Sequence, residues 1–280
     1  MSGCVGPINV AGRFIIAHEL ATGVGMDGHQ RNAINGYVKR LSGIGTEYGS
    51  NLLKMFVEYG TTLMPCCPSN DSTASAAGYQ IDLLSATQQG EFLNFLPEDI
   101  TVMGVKGGSS SAKIFKTFKG PIDYPLLSGF DFFYIKEKCV VSSTATHKVY
   151  QDNTNNTYLV PRHYSNGWVY SVFNGNFDAG LGNGKIHKGL CGLLNREGVL
   201  KSMYVDGHGL IYPNYGGYSS TPNTNTGTYF KFHNSLWLGE ISLYSVRAPE
   251  LTNEQIYDLI EATNWYQDNV LSNASRKLVI

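Results

Sequence analysis

The chain of 280 residues carries 21 Lys and Arg against 22 Asp and Glu, a net charge of −1. The cations are scattered and form no basic stripe, which excludes nucleic acid as an expected partner. Nor does any run reach the roughly 18 consecutive apolar residues that a membrane helix needs. Charged residues make up only 15% of the chain while 42% are hydrophobic, a balance that also excludes a solvated low-complexity polymer.

In place of charge stand 32 Gly, 18 Tyr and stretches dense in Ser, Thr and Asn. Gly and Asn supply turns with positive φ, while Tyr, Phe, Thr and Val suit a pleated, half-buried surface. The composition predicts an all-β fold of many short strands. The opening residues MSGCVGPINVAGRFIIAHEL lack a basic stretch followed by an apolar core, so no secretory signal is expected and the chain is expected to fold in a cytosol. The five cysteines are Cys4, Cys66, Cys67, Cys139 and Cys191. An odd number with one adjacent pair and no paired C-x-x-C predicts reduced, mostly buried thiols rather than bridges or zinc.

In chain order, residues 1–48 are Gly-rich, with seven glycines between Gly23 and Gly49 and a short apolar run at Gly12–Ala17. They predict an irregular N-terminal segment, either an excursion of the main domain or an arm that orders on a neighbouring subunit. From Asn51, NLLKMFVEYGTTLM fits a short helix or a strand. A loop with Pro65 and Pro68 follows, then the short runs YQIDLL, GEFLNFL, ITVMGVKG and AKIFKTFKG. Beyond Pro125 the runs FDFFYIKEKCVVSS, THKVYQ, NTYLVPRHY and GWVYSVFNG recur at intervals of about ten residues, the spacing of a sandwich or barrel.

Three features close the chain. Gly198–Gly207 reads as a strand ending in an Asp206-Gly207 turn. Gly227–His233 and Leu236–Arg247 read as two strands around an Asn234-Ser235 turn, with Ile241, Leu243, Trp237 and Gly239 facing a core. Thr252 with Gln255 three positions later is a capping box, and Ile256, Leu259 and Ile260 then lay one apolar face of a helix.

Together these residues resemble the end of a concanavalin A-like lectin/glucanase domain of the laminin-G-like branch. The corresponding positions are Tyr204, Asp206 and Gly207, then Gly239, Ile241 and Arg247, then Leu251, Thr252, Gln255 and Ile256. Gln255 stands where an acidic residue is commoner in that family. The resemblance implies a two-sheet antiparallel jelly-roll sandwich over residues 49–280, closed by a short C-terminal helix. The signature specifies core, turn and cap rather than a site.

Because that superfamily includes glycosidases and lyases, a polysaccharide-active hydrolase or lyase is the alternative to a binding module. A retaining glycosidase needs two carboxylates about 5–5.5 Å apart, and no E-x-D-x-x-E strand supplies them. Glu240 stands alone, His163, Tyr164 and His187 lack a companion pattern, and there is no G-x-S-x-G or phosphate loop. A non-catalytic protein is therefore expected, with no cofactor. Calcium is the one candidate ion, because the superfamily holds it with loop oxygens; Asp152, Asn155 and Asp178 offer such oxygens, with turn chemistry as their other reading. Tyr212, Tyr215, Tyr218 and Tyr229 with Trp168 are candidates for an aromatic platform under a sugar, against core packing or a subunit contact.

Domains with this ending are common on head fibres, capsid decorations and tail appendages of tailed bacteriophages, including the crAss-like phages of gut Bacteroidetes. The resemblance therefore implies a virion protein assembled in the host cytoplasm. It would be a homo-oligomer, with a trimer as its expected order. Residues 1–48 would dock on other virion proteins, and the sandwich would meet a host surface glycan. Neither nucleic acid nor membrane insertion is expected.

Overall fold

The computed structural model describes side chains for residues 9–71, 74–102, 104–105, 115–118, 190 and 249–270, and backbone elements for further strands up to residue 248. Helix α1 spans Pro7–Thr22. Its Pro occupies a first-turn position where a missing N–H costs nothing, and Val10, Ala11, Phe14, Ile15 and His18 recur on one buried face. Gly23, at φ +68°, ends it by donating its N–H to the Glu19 carbonyl, the left-handed C-terminal stop that glycine tolerates. Helix α2 spans Gly28–Leu41 and starts on a reciprocal capping box between Asp27 and Gln30. Helix α3 (Leu52–Tyr59) is capped by Asn51 and stopped by Gly60 at φ +74°. A short strand β1 (Thr62–Met64) and a single-turn helix α4 (Ser75–Tyr79) follow.

Helix α5 spans Asn253–Asn269, and its first turn carries the capping box read from the sequence. The Thr252 hydroxyl accepts from the Gln255 N–H at 3.3 Å, and the Thr252 N–H donates to Gln255 Oε1 at 2.8 Å. Ile256 and Leu259 are buried and Ile260 packs against them, as their spacing predicts. The partner of that face is α2. Tyr37 and Tyr266 stack with ring centroids 4.9 Å apart, and both are fully buried. Beside them Trp265 lies so close to Gly36 that a Cβ there would come within 2.0 Å of its ring, so glycine is what lets the helices approach. Arg40 covers the same ring at 4.0 Å from its centroid. One buried cluster thus joins α1, α2, α3 and α5 with Leu63, Leu83, Leu84 and Leu190.

Strands β2 to β15 run Gly90–Leu93, Ile100–Thr101, Gly104–Lys106, Ile114–Thr117, Gly129–Ile135, Tyr150–Asp152, Thr157–Val160, Trp168–Phe173, Asn176–Gly182, Gly189–Arg196, Val199–Asp206, Gly209–Ile211, Phe230–Phe232 and Glu240–Pro249. Their backbones pair antiparallel in two ladders, ordered β13-β12-β11-β6-β15-β4-β3 with β1 also on β15, and β10-β9-β8-β7-β14-β5-β2. Through the β1–β15 pairing (Thr62↔Val246) the helical end of the chain is tied to the first ladder.

Three expectations are corrected. The protein is not an all-β jelly-roll sandwich: where side chains are described, about 51% of residues are helical and 15% are strand. The irregular N-terminal segment is likewise overturned, because residues 7–41 form two helices whose apolar faces are core rather than a free arm. The strands expected around Asn234-Ser235 do not pair with each other. β14 joins the second ladder and β15 the first, and β15 carries register shifts against β6 between Ile241 and Leu243 and between Ser245 and Ala248.

Because Tyr266 fills the joint of α2 and α5, Tyr266→Ala is expected to cost about 3–5 kcal/mol. Equilibrium denaturation by urea, followed by circular dichroism, measures it; a loss under about 1 kcal/mol would place the stability elsewhere.

Candidate functional site

Of the sequence-derived site residues, the backbone places three. Asp152 ends β7, Trp168 opens β9 and Asp178 lies in β10 opposite Ser171. Strands β8 and β9 lie between β7 and β10. Asn155, Tyr212, Tyr215, Tyr218 and Tyr229 lie outside the described residues. Among the described residues, no group of three or more His, Cys, Asp or Glu is placed to hold a metal ion, and no helix is long and apolar enough to cross a membrane.

The structure brings forward residues that the strand-centred reading passed over. His18 sits on the inner face of α1, 1% exposed, with Nε2 2.8 Å from the Cys67 carbonyl oxygen. A carbonyl only accepts, so Nε2 carries the proton and Nδ1 is left as an acceptor; Nδ1 has no partner among the described residues. Gly78 of α4 presses against the ring, where a Cβ would stand 2.3 Å from Nε2. Cys66 and Cys67 beside it are fully buried, and Cys66 adopts φ +46°. Burial of both sulfurs withholds them from any substrate. His18 therefore works as a packing and positioning group that ties α1 to the 66–78 segment. Burial pushes its pKa below the ordinary imidazole value, against the Cys67 carbonyl and the neighbouring Glu19, which raise it.

Asp82 organises the next turn. Its carboxylate accepts from the Leu63 N–H at 2.7 Å and the Ser85 N–H at 2.8 Å. Burial pushes its pKa up, opposed by those bonds.

A third group lies on α5. Buried Asp258 accepts from the N–H groups of Tyr48 at 2.9 Å and Ser50 at 2.7 Å, and Glu261 accepts from that of Glu47 at 3.0 Å. Two helix carboxylates thus hold the 42–50 loop in place, and they set Tyr48 against Tyr257 with ring centroids 6.3 Å apart.

The fourth feature is the outer side of α1. Ile16 is 59% exposed and Leu20, one turn on, 80% exposed. No protein-family model matches this chain, and no curated protein matches it. The four features are therefore argued from their own chemistry.

The lowered pKa of His18 has a signed consequence. The unfolded imidazole takes up its proton below about pH 6.5, whereas the buried one resists it. The stability contributed by neutral His18 is therefore present above that pH and is lost as pH falls. Urea midpoints measured across pH 7.5 to 5 should fall for the native chain and fall less for His18→Gln; parallel curves would remove His18 as the cause.

Proposed function

We propose that this chain is a non-catalytic structural subunit that assembles with copies of itself and with other proteins of a larger particle. The setting that the sequence suggests for it is the virion of a tailed phage, as a head fibre, a capsid decoration or a tail appendage. One observation carries the assembly reading: α1 bears large apolar side chains on both its inner and its outer side. Its inner face supplies Val10, Phe14 and Ile15 to the core, and its outer face presents Ile16 and Leu20 to solvent. Neighbouring exposed apolar side chains one helical turn apart mark a contact surface. Docking through the N-terminal segment is thereby narrowed, from a loose arm to one face of a packed helix. On this reading, the glycan contact expected of the particle's outer surface rests on the tyrosine-rich stretch at 212–229 and is tested separately from assembly.

Light scattering coupled to size exclusion at micromolar protein reads the first claim. The native chain should run as an oligomer, and the double substitution Ile16→Glu with Leu20→Glu should shift it to monomer while leaving the helical circular dichroism intact. A native monomer, or an oligomer indifferent to both substitutions, overturns assembly through α1. Release of new reducing ends or unsaturated sugars from bacterial polysaccharides overturns the non-catalytic half.

A further inference from the structure

Helix α5 is one-sided in charge. Residues 250–270 contain Glu250, Glu254, Asp258, Glu261 and Asp268 and no Lys or Arg, and the 42–50 loop set against them adds Glu47 and no cation. Asp258 and Glu261 fasten the loop to the helix through its backbone N–H groups, so loop and helix present one continuous surface. On that surface Tyr48 is 49% exposed and Tyr257 40% exposed, with tilted rings in contact, and Ile44 in the same loop is 60% exposed. The Tyr48 hydroxyl is held above its ordinary pKa, first by the Glu47 carboxylate and, among further causes, by Glu254. The negative field therefore reaches the aromatic pair. Beside it a cavity of about 490 Å³ is lined by Glu250–Glu254.

Exposed rings flanked by carboxylates, with Arg40 held over Trp265 elsewhere on the helix, define what complements them. A cation over a tyrosine face is attracted by its ring quadrupole and by the nearby carboxylates. An aliphatic side chain beside it covers the exposed ring edges. A phosphate-bearing polymer is repelled, and a bare metal ion leaves the apolar part uncovered. We propose that this surface docks a peptide segment of a partner protein in which Lys or Arg stands next to aliphatic residues. The inference is independent of assembly through α1, since it uses the opposite end of the chain and a different chemistry. The chain itself contains such a pattern in Arg276-Lys277-Leu278-Val279-Ile280, which supplies a defined probe.

The experiment titrates a fluorescently labelled peptide of sequence LSNASRKLVI with the full chain and follows anisotropy. Saturable binding is expected, weakening as salt is raised. Tyr257→Ala and Glu254→Lys should each weaken it about tenfold, the equivalent of about 1.4 kcal/mol. Glu254→Gln should weaken it less, and it guards against an effect on the helix start. A peptide with Glu at the positions of Arg276 and Lys277 should not bind. Absence of saturable binding up to millimolar protein overturns the proposal, as does equal binding of the reversed peptide or indifference to both Tyr257→Ala and Glu254→Lys. A dimer of the native chain that forms with rising concentration and is lost in Glu254→Lys, with α1 untouched, supports the proposal and identifies the donor as a second copy.

Discussion

The stacking of Tyr37 on Tyr266 is the contact on which the other helices depend. It joins α2, near the start of the chain, to α5, near its end, and it needs a glycine at position 36 to admit Trp265. Around this joint the apolar faces of α1 and α3 find their cover. The joint also aligns α5 so that Asp258 and Glu261 reach the 42–50 loop, whose three glycines at positive φ could not hold one conformation unaided. The surface that carries Tyr48 and Tyr257 is thus a by-product of how the two ends of the chain pack.

What could be read from the sequence followed the strength of local signals. The capping box at Thr252 and Gln255 and the apolar spacing after it were legible, because a helix start is encoded within four residues. The strand at Val199–Asp206 and its return at Gly209–Ile211 were legible for the same reason: an Asp-Gly turn is a short-range signal. Fold class was not, because strand texture in the middle of the chain outweighed the helices at its ends. Glycines at 28 and 36 hid α2, although Asp27 with Gln30 is also a capping box and Ala33, Ile34, Tyr37, Val38 and Leu41 keep helical spacing behind it. Gly36 looked like a helix breaker and is instead the place where two helices touch. The pairing of β14 and β15 with different ladders depends on partners far away in sequence, which no turn signal near residue 234 records.

The candidate sites followed the same division. Aromatic and acidic residues in the middle of the chain drew attention by residue type alone, and the backbone sets Asp152 on β7 and Asp178 on β10. The groups that the fold does bring together, His18 with Cys67 and Asp258 with Tyr48, are separated by 49 and 210 positions. Neither pair has a spacing that a motif would capture. Each became visible only through a helix packing against a segment from elsewhere in the chain.

The distance between the two halves of the core also sets the order of events at birth. Tyr37 and Thr263, which approach to 3.4 Å, stand 226 positions apart. At about 5–20 residues per second, roughly 10 to 45 s pass between the synthesis of α2 and that of the helix that covers it. Through that interval Tyr37 lacks the ring that stacks on it, and this side of α2 must be shielded by the ribosome, by a chaperone or by a provisional partner. A chain released before α5 is made carries the same apolar faces with nothing to close them. It is a substrate for proteolysis rather than a shorter version of the protein.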